Sequence, residues 1–147
     1  MSRIRVSIVI DAAPRQVWSA VEDIGSHPEW MRDAAAIHFT SPRRSGVGTT
    51  FDCLTRVGPF RLTDKMVVTE WSARRVMGIR HTGVVTGSGR FTLRRRVRGG
   101  TRFSWEERLA FPWWLGGPLG SMAGAVVLRR LWRRNLANLK HRVEARS

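Results

Sequence analysis

Residues Arg3 to Ile10 alternate, with Ile4, Val6, Ile8 and Ile10 on one side and Arg3, Arg5 and Ser7 on the other, the period of a half-buried strand. Asp11 and Pro14 end it. From Pro14 the period changes: Val17, Trp18, Val21 and Ile24 recur at three- and four-residue intervals, which predicts a helix opened by the proline and closed at Gly25. The following GSHPEWMRD predicts a second, short helical turn with Ser26 as cap. Strand-like runs come next at Ala36–Ser41, Gly48–Val57, Phe60–Trp71, Arg75–Gly83, Gly89–Arg98 and Thr101–Phe111. The short connections between them favour an antiparallel meander. The last element, from about Leu119 to Glu144, spaces Met122, Val126, Leu128, Leu131, Trp132, Leu136, Leu139 and Val143 among arginine pairs, the pattern of a long amphipathic helix.

The chain is 147 residues long, 42% hydrophobic and 25% charged, which fits one domain over residues 1–147 with a core of its own and excludes a disordered chain. Its formal net charge is +15, and 24 of the 26 basic residues are Arg. That charge draws nucleic acid, anionic lipid or acidic small molecules toward the surface. The arginine skew is also what genome composition alone would produce, and no nucleic-acid motif accompanies it. The single cysteine, Cys53, excludes an internal disulfide and fits a reducing, cytoplasmic setting. FPWWLGGPLGSMAGAVVL, from Phe111 to Leu128, is nearly long enough to span a membrane, but its Gly and Pro residues predict a loop entering the last helix. The histidines have no metal-ligand spacing, no phosphate loop or GxSxG elbow is present, and the lone GSG at Gly87–Gly89 reads as a turn. Neither a metal nor a cofactor is expected.

The order of elements, strand, two short helices, six antiparallel strands and a long C-terminal helix, resembles the helix-grip fold of the START-related polyketide cyclase/dehydrase and lipid-transfer superfamily. IVIDAAPRQVWSAVEDIGSHPEWM, with its proline-led helix and His27–Trp30 turn, is similar to that superfamily's opening, and VVTEW at Val67–Trp71 is similar to one of its strand endings. The resemblance implies an α+β fold in which a curved seven-stranded antiparallel sheet and the long helix enclose an apolar cavity. Its members include cyclases, hydratases, receptors and lipid carriers, so it says little about chemistry.

Strand alternation picks out the polar residues that share the apolar face. Glu107 stands among Phe103, Trp105, Leu109 and Phe111; Arg95 among Phe91, Leu93 and Val97; Asp64 and Glu70 among Phe60, Leu62, Met66 and Val68; and His81 beside Met77 and Ile79. A two-residue turn at Ser72 and Ala73 would set Asp64 opposite His81 and Glu70 opposite Arg75. A three-residue turn at Gly99–Thr101 would set Arg95 opposite Trp105 and diagonal to Glu107. Asp64 with His81 reads either as a catalytic base and its orienter or as a satisfied buried pair. Arg95 with Glu107 reads either as a clamp for a ligand carbonyl or carboxylate or as a structural ion pair. Phe91, Phe103, Trp105, Met66, Met77, Met122, Val126 and Leu136 would wall a pocket, and Asn135 would reach a ligand from the helix or sit in solvent.

Three functions follow in order. The first is binding of a hydrophobic small molecule, lipid or polyketide-like, in the cavity of a monomer or homodimer. The second is a cyclase or dehydratase in which His81 removes a proton alpha to a carbonyl and Arg95 stabilises the enolate oxygen. The third is a basic interaction protein that meets an anionic membrane surface or RNA through Arg129, Arg130, Arg133 and Arg134, with Trp113 and Trp114 dipping into a bilayer or plugging the cavity.

Overall fold

The computed structural model describes residues 2–111 and 117–146, with side chains placed everywhere except at 117–122. Trp113 and Trp114, and the side chain of Met122, lie outside the described residues. Strand β1 (Ser2–Ile10) leads through helix α1 (Pro14–Val21) and a 3-10 helix (Ile24–Glu29) into β2 (Ala34–Phe39), β3 (Thr50–Val57), β4 (Phe60–Ser72), β5 (Val76–Thr82), β6 (Thr86–Arg95) and β7 (Thr101–Ala110), and helix α2 (Gly117–Arg146) ends the chain. All neighbours are antiparallel, in the order β1-β7-β6-β5-β4-β3-β2, so the two strands nearest the N-terminus lie at opposite edges.

Helix α2 presents Leu128, Trp132, Leu136, Leu139 and Val143, at helical spacing, to the inner face of the sheet, and all five are buried. Trp132 stacks on Trp105 of β7 with ring centroids 4.5 Å apart and planes within 16°. Such a pair adds roughly 0.5–1.5 kcal/mol beyond the area it buries. Val126 is half exposed on the far side of α2, so it is not the wall residue its apolar character suggests. Asn135 is fully buried, yet it reaches no ligand space: its Nδ2 donates to Asp33 Oδ1 at 2.7 Å and its Oδ1 accepts the Arg32 backbone N–H at 3.0 Å. Trp132 Nε1 completes the clasp on Asp33 Oδ2 at 3.0 Å. The loop after the 3-10 helix is thereby fastened to α2. Phe103 is also fully buried, as core beneath Phe91 (centroids 5.1 Å apart) and not as wall.

Two registers differ from those the turn residues suggest. Between β4 and β5 the turn takes Ala73, Arg74 and Arg75, with Arg74 at φ 68°, and a bulge at Thr69 follows, so His81 pairs with Met66 and Asp64 lies diagonal to it. The bulge also turns Glu70 outward, where it pairs with Arg90 at 2.7 Å instead of facing Arg75. Between β6 and β7 the connection runs from Arg96 to Gly100, with positive φ at Gly99 and Gly100, and sets Arg95 opposite Thr101. Pairing therefore stops before Val97, which is fully exposed, and Arg95 projects into solvent at the end of the sheet.

Candidate functional site

Between the inner face of the sheet, the 3-10 helix and α2 lies a cavity of about 160 Å³, counted as the room open to the centre of a water-sized sphere. Most of its wall is apolar. Met66, Met77, Phe91 and Trp105 line it as the alternation predicts, joined by Leu128 and Trp132 of α2.

Its polar centre is a chain of three side chains from three strands. Asp64 (β4) holds His81 (β5) with both carboxylate oxygens within 3.0 Å of Nδ1, and Glu107 (β7) holds the other ring nitrogen, Nε2, with Oε2 at 2.7 Å. Trp105 Nε1 donates to the remaining Glu107 oxygen at 3.1 Å. His81 and Glu107 are each 6% exposed, so their charges interact through a medium of low polarisability. Burial alone would favour the neutral imidazole, but the hydrogen bonds and negative charges of Asp64 and Glu107 outweigh it and raise the His81 pKa to about 10. At neutral pH His81 is an imidazolium donating both N–H groups. Burial pushes the Glu107 carboxyl above its ordinary range, against the pull of His81 and Trp105.

Strands β5 and β7 are separated by β6, so His81 and Glu107 must meet across it. The passage is built from glycine: Gly87 pairs with His81 and Gly89 with Glu107 on the inner face. A Cβ on Gly89 would lie 2.3 Å from the Glu107 carboxyl atoms. The GSG that reads as a turn is thus a strand segment that leaves room for the cluster. Glycines two apart in a strand flanked by apolar alternation were the available signal, and they point to a close approach over β6.

The Glu107 partner is therefore His81 and not Arg95, which stands six residues along β6 from Gly89, roughly 20 Å away at strand rise. Cys53 lines the cavity; burial is the main cause that pushes its thiol up to about 12, which makes it an inert wall residue. Sequence reasoning passed over two polar wall residues: Asp33, clasped by Asn135 and Trp132, and His27 of the 3-10 helix, buried at the cavity wall against Trp30 and Phe91. The only side-chain hydrogen bond of His27 among the described residues runs from Nε2–H to the Val21 carbonyl at 2.7 Å. Burial, only partly opposed by that bond and by Asp23, lowers its pKa to about 4, so it is neutral where His81 is charged. Nothing in local periodicity marks it, because its burial comes from long-range packing.

A seven-stranded antiparallel sheet gripping a long C-terminal helix over an apolar cavity defines a helix-grip protein. The chain matches the family model described as polyketide cyclase / dehydrase and lipid transport over residues 1–144, and it belongs to that family. Comparison with curated proteins by sequence gives no match. Among solved structures it is similar to a Thermus thermophilus protein, at 18% identity and TM-score 0.77 over 99% of both chains. It is also similar to a START superfamily protein from Mycobacterium smegmatis, at 12% identity and TM-score 0.76 over 99% of both. The di-domain ARO/CYC BexL of the BE-7585A biosynthetic pathway aligns at 17% identity and TM-score 0.79, with 99% of this chain spanning 51% of that one. At these identities the likeness is one of fold.

Proposed function

We propose that this protein binds a hydrophobic small molecule in the cavity between the sheet and α2, and that the Asp64–His81–Glu107 chain is the polar floor against which the ligand is oriented. The observation that carries the reading is an apolar cavity whose central histidine, His81, is already saturated. A general base needs a free lone pair, and both nitrogens of His81 are held by carboxylates as N–H donors. Arg95, the residue that would have stabilised an enolate, stands outside the cavity. Proton abstraction by His81 would therefore rise only as pH approaches about 10, which separates an enzyme of that kind from a binder.

Native mass spectrometry of the purified protein, followed by titration calorimetry with hydrophobic probes, tests the proposal. A discrete small-molecule adduct lost on denaturation, or saturable binding of a probe that Arg95→Glu leaves intact, is the expected result. A bare chain that takes up none of the probes would overturn it.

A further inference from the structure

The hydrogen-bonding groups around the cavity are of one kind. Each strong side-chain donor at the wall is already engaged: both ring nitrogens of His81, Trp105 Nε1 on Glu107, and Trp132 Nε1 on Asp33. Arg90 reaches outward to Glu70, and both of those side chains are half exposed. What the wall still offers is acceptors. The carboxylates of Asp33, Asp64 and Glu107 have lone pairs beyond the bonds they make, and His27, neutral and donating through Nε2, keeps the lone pair of Nδ1. His27 is 6% exposed, and Nδ1 makes no hydrogen bond among the described residues. The same wall carries three carboxyl groups, those of Asp33, Asp64 and Glu107, against one buried imidazolium and the outward-reaching Arg90, although the whole chain is +15.

We infer that the cavity selects uncharged hydrophobic molecules bearing a hydroxyl group, which donates to His27 Nδ1, and turns away carboxylate-bearing ones such as fatty acids. A ligand carboxylate would enter with each ring N–H at the wall already engaged and with buried carboxyl groups nearby, so it would lose its hydration without replacement. A ligand hydroxyl meets an accessible acceptor with no other side-chain partner in a largely apolar wall, where hydrogen bonding is most discriminating. An ether of the same shape has no proton to give. The inference rests on the proposed binding role and names the class of ligand for it.

The test is titration calorimetry at pH 7 with two matched series: 2-naphthol, 2-methoxynaphthalene and 2-naphthoate, and then 1-decanol, its methyl ether and decanoate. In whichever series binds, the hydroxyl compound is expected to bind about tenfold more tightly than the ether, and the carboxylate about a hundredfold more weakly than the hydroxyl compound. His27→Phe keeps a ring of similar shape and loses both nitrogens, so the preference for hydroxyl over ether should fall to within about twofold. In the wild type, with no variant needed, the Nδ1 resonance of His27 should move on adding the hydroxyl compound and stay on adding the ether. Equal affinity for all three members of a series, or an unchanged preference in His27→Phe, would overturn this inference and leave the cavity reading standing. Absence of binding by every member of both series would overturn the cavity reading and this inference with it.

Discussion

Replacing Gly89 by alanine adds one methyl group at the point where β6 passes under Glu107. The new Cβ would lie 2.3 Å from the carboxyl carbon and both oxygens, whereas ordinary contact begins near 3.4 Å. The carboxyl group must therefore retreat by about 1 Å. It has little freedom to do so, because Oε2 is bonded to His81 at 2.7 Å and Oε1 to Trp105 at 3.1 Å. Breaking a buried charged pair costs about 3–5 kcal/mol. Against that stands a gain of about 0.5–1 kcal/mol, because alanine has less chain entropy to lose than glycine at a position with no positive φ. Gly89→Ala should thus destabilise by about 3 kcal/mol in urea unfolding. The decisive assay is a double-mutant cycle with Glu107→Ala, in which the methyl group has no carboxyl to displace and should be neutral or slightly stabilising. A coupling of about 2–4 kcal/mol is expected between the two sites. Additive costs, within about 0.5 kcal/mol, would refute the argument that Gly89 exists to admit Glu107.

His81 should remain protonated at pH 7 in the folded protein, visible as an imidazolium with two bonded N–H groups in nitrogen NMR, and a midpoint near the ordinary 6.5 would contradict the geometry. Its folded pKa lies above its unfolded value, so the stability it contributes is complete below about 6.5 and is lost as pH rises toward about 10. Urea midpoints should accordingly fall across that window, and should fall less in His81→Gln. Asn135→Leu leaves the Arg32 N–H without its acceptor and removes the Asn135 N–H donor from Asp33, and should cost about 2–3 kcal/mol in the same unfolding assay; a cost below about 0.5 kcal/mol would show that α2 does not depend on this clasp. Cys53 should react with a disulfide reagent only as fast as the chain opens, and rapid modification of the folded protein would contradict its burial.

The order of elements was legible because each depends on nearby residues: the change of period at Pro14, the glycine punctuation between strands, and the apolar stripe of the last helix. Registers were less so. A bulge such as the one at Thr69 has no sequence signature of its own, and the turn at Ala73–Arg75 puts Arg74, not glycine, at positive φ. Glu70 was misplaced for that reason alone. Asn135 was misread because a lone amide in an arginine-rich helix looks solvated until its partner, about a hundred residues earlier in the chain, is known to be Asp33.

The Asp64–His81 pair survived an incorrect register because side chains alternate with a period of two. The true turn displaces the pairing by three residues and the bulge takes one back, so the net shift of two leaves both groups on the inner face and merely makes them diagonal. The same parity keeps Arg95 on the nominal face of Phe91 and Leu93, yet it fails as a site residue, because parity assigns a face and not a position along the strand. Where Arg95 sits is decided by the length of the Arg96–Gly100 connection. Charge complementarity chose Arg95 for Glu107, but packing chose His81, since Gly87 and Gly89 leave an opening over β6 through which only a group from β5 can reach. A buried carboxylate in a sheet is therefore better assigned a partner by asking which neighbouring strand lacks side chains beside it than by asking which cation is nearest in sequence.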